Sequence, residues 1–352
     1  MNDLKILLTG GAGFLGKALV NEILSPDAPV PCGLLRIFDL NRYTGPADER
    51  IEMVQADIQD RQALVDACQG IDAVIHAAAI VDWGTHPESE VYAVNYEGTC
   101  RVVEACRTAG VKFLIYTGSL DAIYTGKSMT GIDETAPYPA SHPNMYCKSK
   151  ALAEKAVMEA NSDALMTCVL RPADIYGPAD PFHIGSLIDM AKGGFYVRLG
   201  DGTAHSQHVF VGNMAHAHLQ VLQALATGNM TPAGKAYFIT DGVSSNFFKF
   251  FDAIIEGAGY RIRPKNLWIP KKIAYSIGAC AEFMALLARP FVRYNPKFSR
   301  FAVIYTCADF TFKPEKAQKD FGFRPKYLHD DSFEMTVKYY REQISNQQPQ
   351  KG

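Results

Sequence analysis

Glycine recurs at positions 10, 13 and 16, directly after the short apolar run Lys5–Thr9 and at the start of a helix-like stretch. A strand, a glycine-rich turn and a helix in this order are typical of a dinucleotide-binding loop. The first glycine permits the tight turn, the second lets the backbone approach a pyrophosphate, and the third allows close packing of helix on strand. The helix N-terminus presents free N–H donors to the anion. A glycine turn without a ligand is the alternative, but this context favours binding by the loop residues Gly10, Gly13, Phe14, Leu15 and Gly16.

Short apolar runs recur along the first 170 residues, with helix-like stretches between most of them. The runs are Lys5–Thr9, Leu34–Asp39, Ile51–Gln55, Ala73–His76, Phe113–Thr117 and Met166–Leu170. This alternation predicts an α/β fold with a Rossmann-type, doubly wound parallel sheet. The longest early helices are expected at Glu88–Ala109 and Met145–Ala160, where polar caps flank periodic apolar positions.

The alternation weakens in the second half of the chain, which predicts a smaller, discontinuous C-terminal domain. The dinucleotide-binding domain is expected to span 1–179, with 208–241 returning to it as a strand, a helix and a strand. Residues 180–207 and 242–345 are expected to bind the substrate, because open α/β sheets bind ligands at the carboxyl edge that this domain would cover. Residues 346–352 form a tail that is too polar to pack.

Asp39 closes the second predicted strand, about where a dinucleotide fingerprint places its acidic residue. A carboxylate there accepts hydrogen bonds from both ribose hydroxyls and repels a 2′-phosphate, so we expect NAD rather than NADP. Arg36 and Arg42 argue against this preference, because either side chain could reach a phosphate. We expect both arginines to be solvated instead.

The composition excludes several classes of function. The chain has 352 residues, 48% hydrophobic and 20% charged, and can bury the core of one large domain or two coupled ones. Its formal net charge of −2 comes from interspersed charges and does not predict binding to nucleic acid. The eight cysteines show no C-x-x-C pair and no partnering histidine spacing, so we expect no metal site and a reducing compartment. Residues 1–3 run straight into the first strand, and a cytoplasmic location is therefore expected.

Tyr146 and Lys150 lie four residues apart, and Pro143 suits a helix start, so both side chains are expected on one helical face. A tyrosine with its ordinary pKa of ~10 is a poor base at neutral pH. A neighbouring ammonium and the positive helix end favour the phenolate, and lowering the pKa by about three units needs about 4 kcal/mol. The spacing alone is common on surface helices. After a dinucleotide loop, however, the pair predicts proton transfer.

Several short motifs stand in a fixed order along the chain. They are the glycine loop, Asp57–Ile58, His76–Ala79, Asn95–Thr99, Ser119 and the Tyr146/Lys150 pair. Together they resemble an extended short-chain dehydrogenase/reductase. Four further segments are Val211–His218, Arg289–Phe291, Tyr294–Phe298 and Phe310–Ala317. With them, nearly the whole chain resembles the 3β-hydroxysteroid dehydrogenase family, which includes sterol-4-carboxylate 3-dehydrogenases.

The resemblance implies a role for each matching residue. Tyr146 would be the acid/base, and Lys150 would bind the cofactor ribose and lower the tyrosine pKa. Ser119 would hold the reacting oxygen, and Asn95 would support the central helix. The residues implied to line the cofactor are Asp57 and Ile58 at the adenine and Ala77, Ala78 and Ala79 along its length.

Each of these roles has a structural alternative: Asp57 as a strand-end cap, Asn95 as a helix-capping amide and Ser119 as a turn hydroxyl. The chain also departs from the family pattern, which usually reads Thr-Ser-Ser where this sequence has Thr-Gly-Ser at 117–119. Thr117 or Thr125 could therefore assist Ser119.

The segment 267–292 is apolar with sparse charges, but its longest charge-free runs are shorter than the ~20 residues that span a bilayer. We expect an amphipathic helix at Ile273–Ala288 that lies on a membrane or covers an apolar pocket. A core helix or a dimer contact is the alternative, and a homodimer is expected from family habit. The basic residues that would meet anionic headgroups are Arg289, Arg293, Lys297 and Arg300.

The resemblance implies NAD-dependent oxidation of a 3β-hydroxyl group on a steroid or sterol to the 3-ketone. Two further steps stay open: isomerisation of a Δ5 double bond to Δ4, or loss of CO₂ from a 4-carboxysterol product. One alternative is a nucleotide-sugar epimerase or dehydratase, which should carry an arginine-bearing diphosphate site in its second domain. A non-catalytic NAD-sensing protein is the alternative from another class.

Overall fold

The computed structural model describes residues 3–84, 86–288 and 298–347. In chain order, the strands within these ranges are β1 Leu4–Thr9, β2 Cys32–Asp39, β3 Ile51–Gln55, β4 Ala73–His76, β5 Phe113–Thr117, β6 Met129–Ile132, β7 Met166–Pro172, β8 Asp174–Tyr176, β9 Arg198–Leu199, β10 Ser206–Phe210, β11 Lys235–Ile239, β12 Ser244–Ser245, β13 Trp268–Ile269 and β14 Phe310–Phe312. The α-helices are α1 Phe14–Ile23, α2 Arg61–Cys68, α3 Glu88–Tyr92, α4 Gly98–Ala109, α5 Met145–Glu159, α6 Ile184–Lys192, α7 Val211–Ala226, α8 Phe247–Gly257, α9 Lys271–Ala288, α10 Arg300–Thr306, α11 Glu315–Phe321 and α12 His329–Gln347. Segments outside the described residues include Arg289–Phe291, most of Tyr294–Phe298 and the end of the polar tail.

Seven strands form the main sheet, in the order β11-β7-β5-β4-β1-β2-β3. Every neighbouring pair in this sheet is parallel. The order of strands reverses between β1 and β4, and open α/β sheets bind ligands beyond the carboxyl ends of such strands. Strands β4 and β5 are buried at every position, as expected when helices cover both faces of a parallel sheet. The predicted doubly wound sheet is confirmed.

Helices cover the main sheet on both faces and hold its strand ends in place. One core contains Leu19 of α1 and Leu222 of α7, and the other contains Leu64, Val102 and Val157 of α2, α4 and α5. Burial of each such side chain contributes roughly 1.5–3 kcal/mol. The loops that follow the strands therefore project from a rigid platform.

A second sheet joins β12, β10, β14 and β6 in that order, and β8 also pairs with β10. This sheet crosses the sequence-based boundaries, because β6 and β8 lie within 1–179 and β10 spans the expected boundary between 180–207 and 208–241. Only α7 and β11 of the latter segment return to the main sheet. Strand β7 ends at Pro172, which has no N–H group for further pairing, and the chain then enters β8.

The helix expected over Glu88–Ala109 is present as one unbroken run of helical residues, but its middle is not α-helical. A π-helical turn, Ala93–Glu97, separates α3 from α4. Such turns insert an extra residue into a helix and occur often at functional sites. The turn contains Asn95, one of the residues implied by the family resemblance.

Helix α5 begins at Met145, immediately after Asn144. The Asn144 side chain accepts a hydrogen bond of 2.9 Å from the Cys147 N–H and caps the helix. Pro143 lies just before this cap. The predicted helix is therefore correct to within one residue at its C-terminal end, and Tyr146 lies in its first turn.

Candidate active site

A pocket of about 510 Å³ opens at the carboxyl ends of the main-sheet strands, and this volume is typical of small-molecule sites. Its walls contain every residue of the sequence-predicted site except Asn95. These residues are Gly10, Gly13, Phe14, Leu15, Gly16, Asp39, Asp57, Ile58, Ala77, Ala78, Ala79, Ser119, Tyr146 and Lys150. The structure thus brings together groups that are spread from position 10 to position 150 of the chain.

The glycine loop forms a cradle that packs too closely against its own neighbours to admit side chains at Gly10 and Gly16. Gly10 has a φ of +76°, and a Cβ there would lie 2.7 Å from the Ala78 nitrogen. A Cβ at Gly16 would overlap the carbonyl of Gly10. Helix α1 starts after Gly13 without a side-chain cap, so no side chain occupies its first N–H groups. These features fit a dinucleotide pyrophosphate.

Asp39 lies at the end of β2 and faces the pocket. Its carboxylate accepts hydrogen bonds from the backbone N–H groups of Ala12 and Asn41, at 3.0 and 2.8 Å. The Arg36 guanidinium is not solvated as expected, because it bonds Glu52 and two backbone carbonyls. Arg42 is exposed and is not among the pocket-lining residues. The 2′-phosphate of NADP would meet the Asp39 carboxylate here and not a guanidinium group. The arrangement therefore favours NAD.

The residues implied to line the cofactor follow the strands β3 and β4. Ile58 is buried, and a Cβ at Gly98 would come within 3.1 Å of its side chain, so the glycine lets α4 pack closely behind it. Asp57 lies beside it on the pocket wall. The turn Ala77–Ala79 is held to β1 by a 3.1 Å hydrogen bond from the Ala77 N–H to the Thr9 carbonyl.

Lys150 is only 2% exposed and has no carboxylate partner among the ion pairs of the described residues. Its Nζ donates a 2.7 Å hydrogen bond to the Thr117 carbonyl and lies 4.5 Å from the centre of the Tyr116 ring. Burial lowers the pKa of this ammonium to about 7, while Glu154 and Asp121 oppose the shift. A buried, weakly compensated cation therefore lies beside the pocket.

Tyr146 lies one helical turn before Lys150 and is partly exposed to the pocket. Burial raises its pKa well above the ordinary value, the Asp121 charge adds to this, and a hydrogen bond with Ser119 opposes it. The sequence-based prediction of a lowered pKa for Tyr146 is therefore wrong for the protein without bound cofactor. Desolvation is the largest cause, and the phenolate would also be buried next to the Asp121 carboxylate.

Ser119 caps the 3₁₀ turn Leu120–Ile123 and belongs to the same hydrogen-bonded group. Its hydroxyl donates to Asp121 Oδ2 at 2.8 Å and accepts from the Asp121 N–H at 3.1 Å. Thr117, the first alternative to Ser119, also lines the pocket, but its Oγ1 lies 2.8 Å from His218 Nε2. Thr125 is exposed and is not among the pocket-lining residues. Of these three residues, Ser119 is the one that lines the pocket and forms a hydrogen bond with Tyr146.

Asn95 lies behind the pocket wall, which excludes direct contact with a ligand in this arrangement. Its amide donates to the Ile80 carbonyl at 2.9 Å and accepts from the Ile80 N–H at 2.8 Å. It also approaches the hydroxyl of Ser149 on α5, at 3.3 Å. Asn95 thus ties the loop after β4 to the helix that carries Tyr146, which is a supporting role.

A buried chain of polar side chains beneath the glycine cradle was not predicted from the sequence. His76 Nδ1 lies 2.7 Å from Thr9 Oγ1, and its Nε2 lies 2.9 Å from Thr99 Oγ1. Thr99 then donates to the Asn95 carbonyl at 2.6 Å. Thr9, His76 and Thr117 are the last residues of β1, β4 and β5. A polar residue at the end of three adjacent buried strands was the pattern that could have revealed this chain.

The other half of the pocket was also missed. It is formed by aromatic, imidazole and acidic side chains from loops and turns, from β8 and from α10, and both acids are buried. The residues are Trp83, Asp121, Asp174, Phe182, His183, Phe301 and Tyr305. His183 received no role from the sequence, nor did His205 and His208, which do not line the pocket.

Comparison with known proteins agrees with this geometry. The sequence model of the 3-beta hydroxysteroid dehydrogenase/isomerase family matches residues 7–269. The chain belongs to this family. Its membership confirms the sequence-based recognition and the predicted class of enzyme, an oxidoreductase that acts on a hydroxyl group.

Two curated relatives span nearly the whole chain. "Sterol-4-alpha-carboxylate 3-dehydrogenase, decarboxylating" of Mus musculus is 31% identical over 339 residues, covering 96% of this chain and 91% of the relative. "2-alkyl-3-oxoalkanoate reductase" of Stenotrophomonas maltophilia is 32% identical over 327 residues, covering 92% and 95%. Among solved structures, the dTDP-glucose 4,6-dehydratase of Streptomyces venezuelae crystallised with NAD aligns with a TM-score of 0.74. Its 21% identity, over 97% of this chain and 98% of that one, shows a shared fold.

Proposed function

We propose that this member of the 3β-hydroxysteroid dehydrogenase family uses NAD to oxidise the 3β-hydroxyl of a sterol that carries a carboxyl group on C4, and that the resulting 3-keto acid loses CO₂. The observation that carries the oxidation is the shared pocket of Tyr146, Lys150, Ser119 and the glycine cradle. The cofactor proposal rests on the uncapped N-terminus of α1 and the carboxylate of Asp39.

The side chains divide the proton chemistry between them. The Tyr146 phenolate takes the proton of the substrate hydroxyl, which Ser119 holds in place, and becomes the neutral phenol. Bound NAD supplies the hydride acceptor and a positively charged ring. Because burial and Asp121 raise the pKa of Tyr146, the Lys150 ammonium has to act together with that positive charge to favour the phenolate.

The substrate half of the pocket suits a flat apolar molecule. Trp83 contacts Tyr305 and Phe301 edge-on, with ring centres 4.9 and 5.8 Å apart, and forms an aromatic wall. Arginine is not among the side chains that line this pocket in the described part of the chain. A nucleotide sugar would need such a cation for its diphosphate, so the geometry favours a sterol over the epimerase alternative.

The names of the relatives favour the decarboxylating branch over isomerisation. The mouse relative is named for a sterol-4-alpha-carboxylate, and the bacterial relative for a 2-alkyl-3-oxoalkanoate. Both compounds carry a carboxylate on the carbon next to the reacting one. A β-keto acid loses CO₂ readily because the electron pair of the broken bond passes into the neighbouring ketone.

A substrate panel tests this proposal. Purified protein with NAD is given a 4α-carboxy-3β-hydroxysterol, a 3β-hydroxy-Δ5-steroid or UDP-glucose, and NADH absorbance and CO₂ release are recorded. We expect NADH from the carboxysterol with one CO₂ for each NADH. If the only product were a Δ4-3-ketone formed from the Δ5-steroid, the step after oxidation would be isomerisation and not decarboxylation. Turnover of UDP-glucose alone would overturn the sterol assignment.

We also propose that the exposed apolar face of α9 attaches the protein to a membrane surface as a peripheral protein. This face exposes large apolar side chains along the whole helix: Ile273, Ile277, Phe283, Met284, Leu286 and Leu287. Within the described residues, no helix is long and apolar enough to cross a bilayer. An apolar helix face of this size and a substrate that partitions into lipid support contact with the interface.

The basic residues expected to flank this helix contribute little to the proposal. Arg300 donates to Glu282 at 2.6 Å, so its charge is already paired. Arg289, Arg293 and Lys297 lie outside the described residues. The proposal therefore rests on the apolar face itself.

Replacing Phe283 and Leu287 by glutamate should lower binding to phosphatidylcholine–phosphatidylserine vesicles at least tenfold. Burial of each side chain contributes roughly 1.5–3 kcal/mol, and about 1.4 kcal/mol corresponds to a tenfold change. Co-sedimentation measures the bound fraction. Leu328→Glu is the matched control, because Leu328 is 70% exposed and lies outside α9. If the double variant bound vesicles normally but ran as a smaller species on a sizing column, α9 would instead be a homodimer contact.

A further inference from the structure

A buried group of acid, imidazole and phenol lies in the substrate half of the pocket, and the proton transfer described above does not use it. Asp174 follows β7, His183 precedes α6, and Tyr305 lies in α10. The Tyr305 hydroxyl donates a 2.7 Å hydrogen bond to Asp174 Oδ1, and His183 Nε2 lies 3.7 Å from the same oxygen. Three separate elements thus converge on one carboxyl group.

The second oxygen of this carboxyl group is unused. Asp174 is 7% exposed, and its Oδ2 has no hydrogen-bond partner among the described residues. A buried carboxyl oxygen without a partner is costly and rare in native proteins, and it suggests a functional role. Both ring nitrogens of His183 also lack a hydrogen-bond partner in the described structure. The ring is held by packing instead, stacked on Phe251 with centres 5.4 Å apart.

Asp174 differs from Asp180 and Asp121, two other buried acids near the pocket. Asp180 accepts three backbone N–H groups at the start of α6, so its carboxylate is already committed. Asp121 accepts from the Ser119 hydroxyl through one oxygen and lies 3.8 Å from the Cys147 thiol through the other. Asp174 alone among these three has a free oxygen.

Asp174 lines the same pocket as the proton-transfer group. It lines the pocket together with Tyr146, and in its ionised form it raises the pKa of Asp121, the direct partner of Ser119. Burial raises the pKa of Asp174 itself, with His183 opposing the shift, so the protonated acid is favoured relative to a solvated aspartate. A protonated acid next to the site of a developing carbanion is a proton donor.

We propose that Asp174 protonates C4 of the substrate after CO₂ has left, with Tyr305 and His183 as its positioning residues. This role rests on the proposed function. The bond between C4 and the carboxylate carbon breaks, its electron pair forms the enolate of the 3-ketone, and CO₂ departs. The enolate then takes the Asp174 proton at C4, which restores the 3-ketone, and the Asp174 carboxylate regains a proton from solvent.

The test compares wild type with Asp174→Asn on a 4α-carboxy-3β-hydroxysterol in D₂O, with quenching at short times. NADH and the decarboxylated ketone are quantified, and NMR reports on which face of C4 the deuterium lies. In the wild type, we expect deuterium on one face. In Asp174→Asn, ketone formation should fall at least tenfold more than NADH formation, and deuterium should appear on both faces. Asp174→Glu should restore deuterium on one face, because it restores the acid.

Other outcomes would overturn the proposal. Equal ratios of ketone to NADH and one-face deuterium in both proteins would show that C4 is protonated by another group. If Asp174→Asn lost NADH formation as completely as ketone formation, Asp174 would act in binding or folding instead. Absence of NADH from the wild type would contradict the proposed function, and this role would fail with it.

Discussion

Replacing Tyr146 by phenylalanine is expected to lower kcat for NADH formation by about 10²–10⁴-fold, the contribution of a positioned acid/base group. The phenylalanine ring keeps the packing of the first turn of α5 and removes only the hydroxyl that bonds Ser119. We therefore expect unchanged thermal stability within about 1 kcal/mol, the usual net value of one hydrogen bond. Initial rates of NADH absorbance measure kcat and KM, and calorimetric titration measures the Kd for NAD.

The control for this variant is Tyr339→Phe, which removes a hydroxyl from α12, outside the pocket. It should retain full activity. NAD affinity should be similar in all three proteins, because the glycine cradle and Asp39 are untouched. A fully active Tyr146→Phe would remove Tyr146 from the proton transfer. If Tyr146→Phe kept its biological activity without turnover, the hypothesis of a non-catalytic NAD-sensing protein would be favoured.

The cofactor half of the site could be predicted from the sequence because its determinants are local. Gly10, Gly13 and Gly16 lie within one short segment of the chain. Tyr146 and Lys150 lie one helical turn apart in α5 and share a face. Spacing alone encodes such neighbours. The parallel sheet was equally accessible, since its strands are continuous apolar runs between helices.

The second sheet could not be predicted, because its pairings join segments far apart in the chain and its strands are short. Phe310 pairs with Met129, and His208 pairs with Asp174. Strands of two to five residues carry too few alternating positions to reveal a buried face. The substrate half of the pocket depends on this sheet, so Asp174 and Tyr305 did not stand out in the sequence.

The pKa of Tyr146 illustrates a second limit. The sequence shows a lysine four residues away, which favours the phenolate, but it does not show how deeply the phenol is buried or that Asp121 lies beside it. Desolvation is a property of the folded chain, and here it reverses the sign of the shift. Electrostatic predictions from spacing therefore need the fold before their direction can be trusted.

Lys150→Met is expected to lower kcat/KM by about 10²-fold or more and, in the absence of NAD, to make the protein more stable near pH 7. The loss of activity follows from removing the cation beside Tyr146. The gain in stability follows from burial, which lowers the pKa of Lys150 from its ordinary 10.5 to about 7. That shift costs on the order of 4 kcal/mol of folding free energy at neutral pH. Leaving the Thr117 carbonyl without its donor costs less, about 1–3 kcal/mol.

The pH dependence of stability distinguishes this cause from a change in packing. Between pH 7 and about 10.5, the unfolded chain keeps the Lys150 proton that the folded protein has lost. Raising the pH through this window therefore stabilises the wild type, and methionine has no such proton to lose. The stability advantage of Lys150→Met should be largest at or below pH 7 and should shrink steadily towards pH 10.

Thermal unfolding at several pH values, with Lys148→Met as the control, tests this prediction. Lys148 is exposed on the same helix, so its replacement should change neither activity nor the slope of stability with pH. Parallel pH profiles for the wild type and Lys150→Met would show that Lys150 keeps an ordinary pKa. If the predicted slope is found, the buried Lys150 lowers the stability of the folded protein while it places a positively charged group beside Tyr146. The size of the slope then measures the folding free energy that is lost by burying this amine.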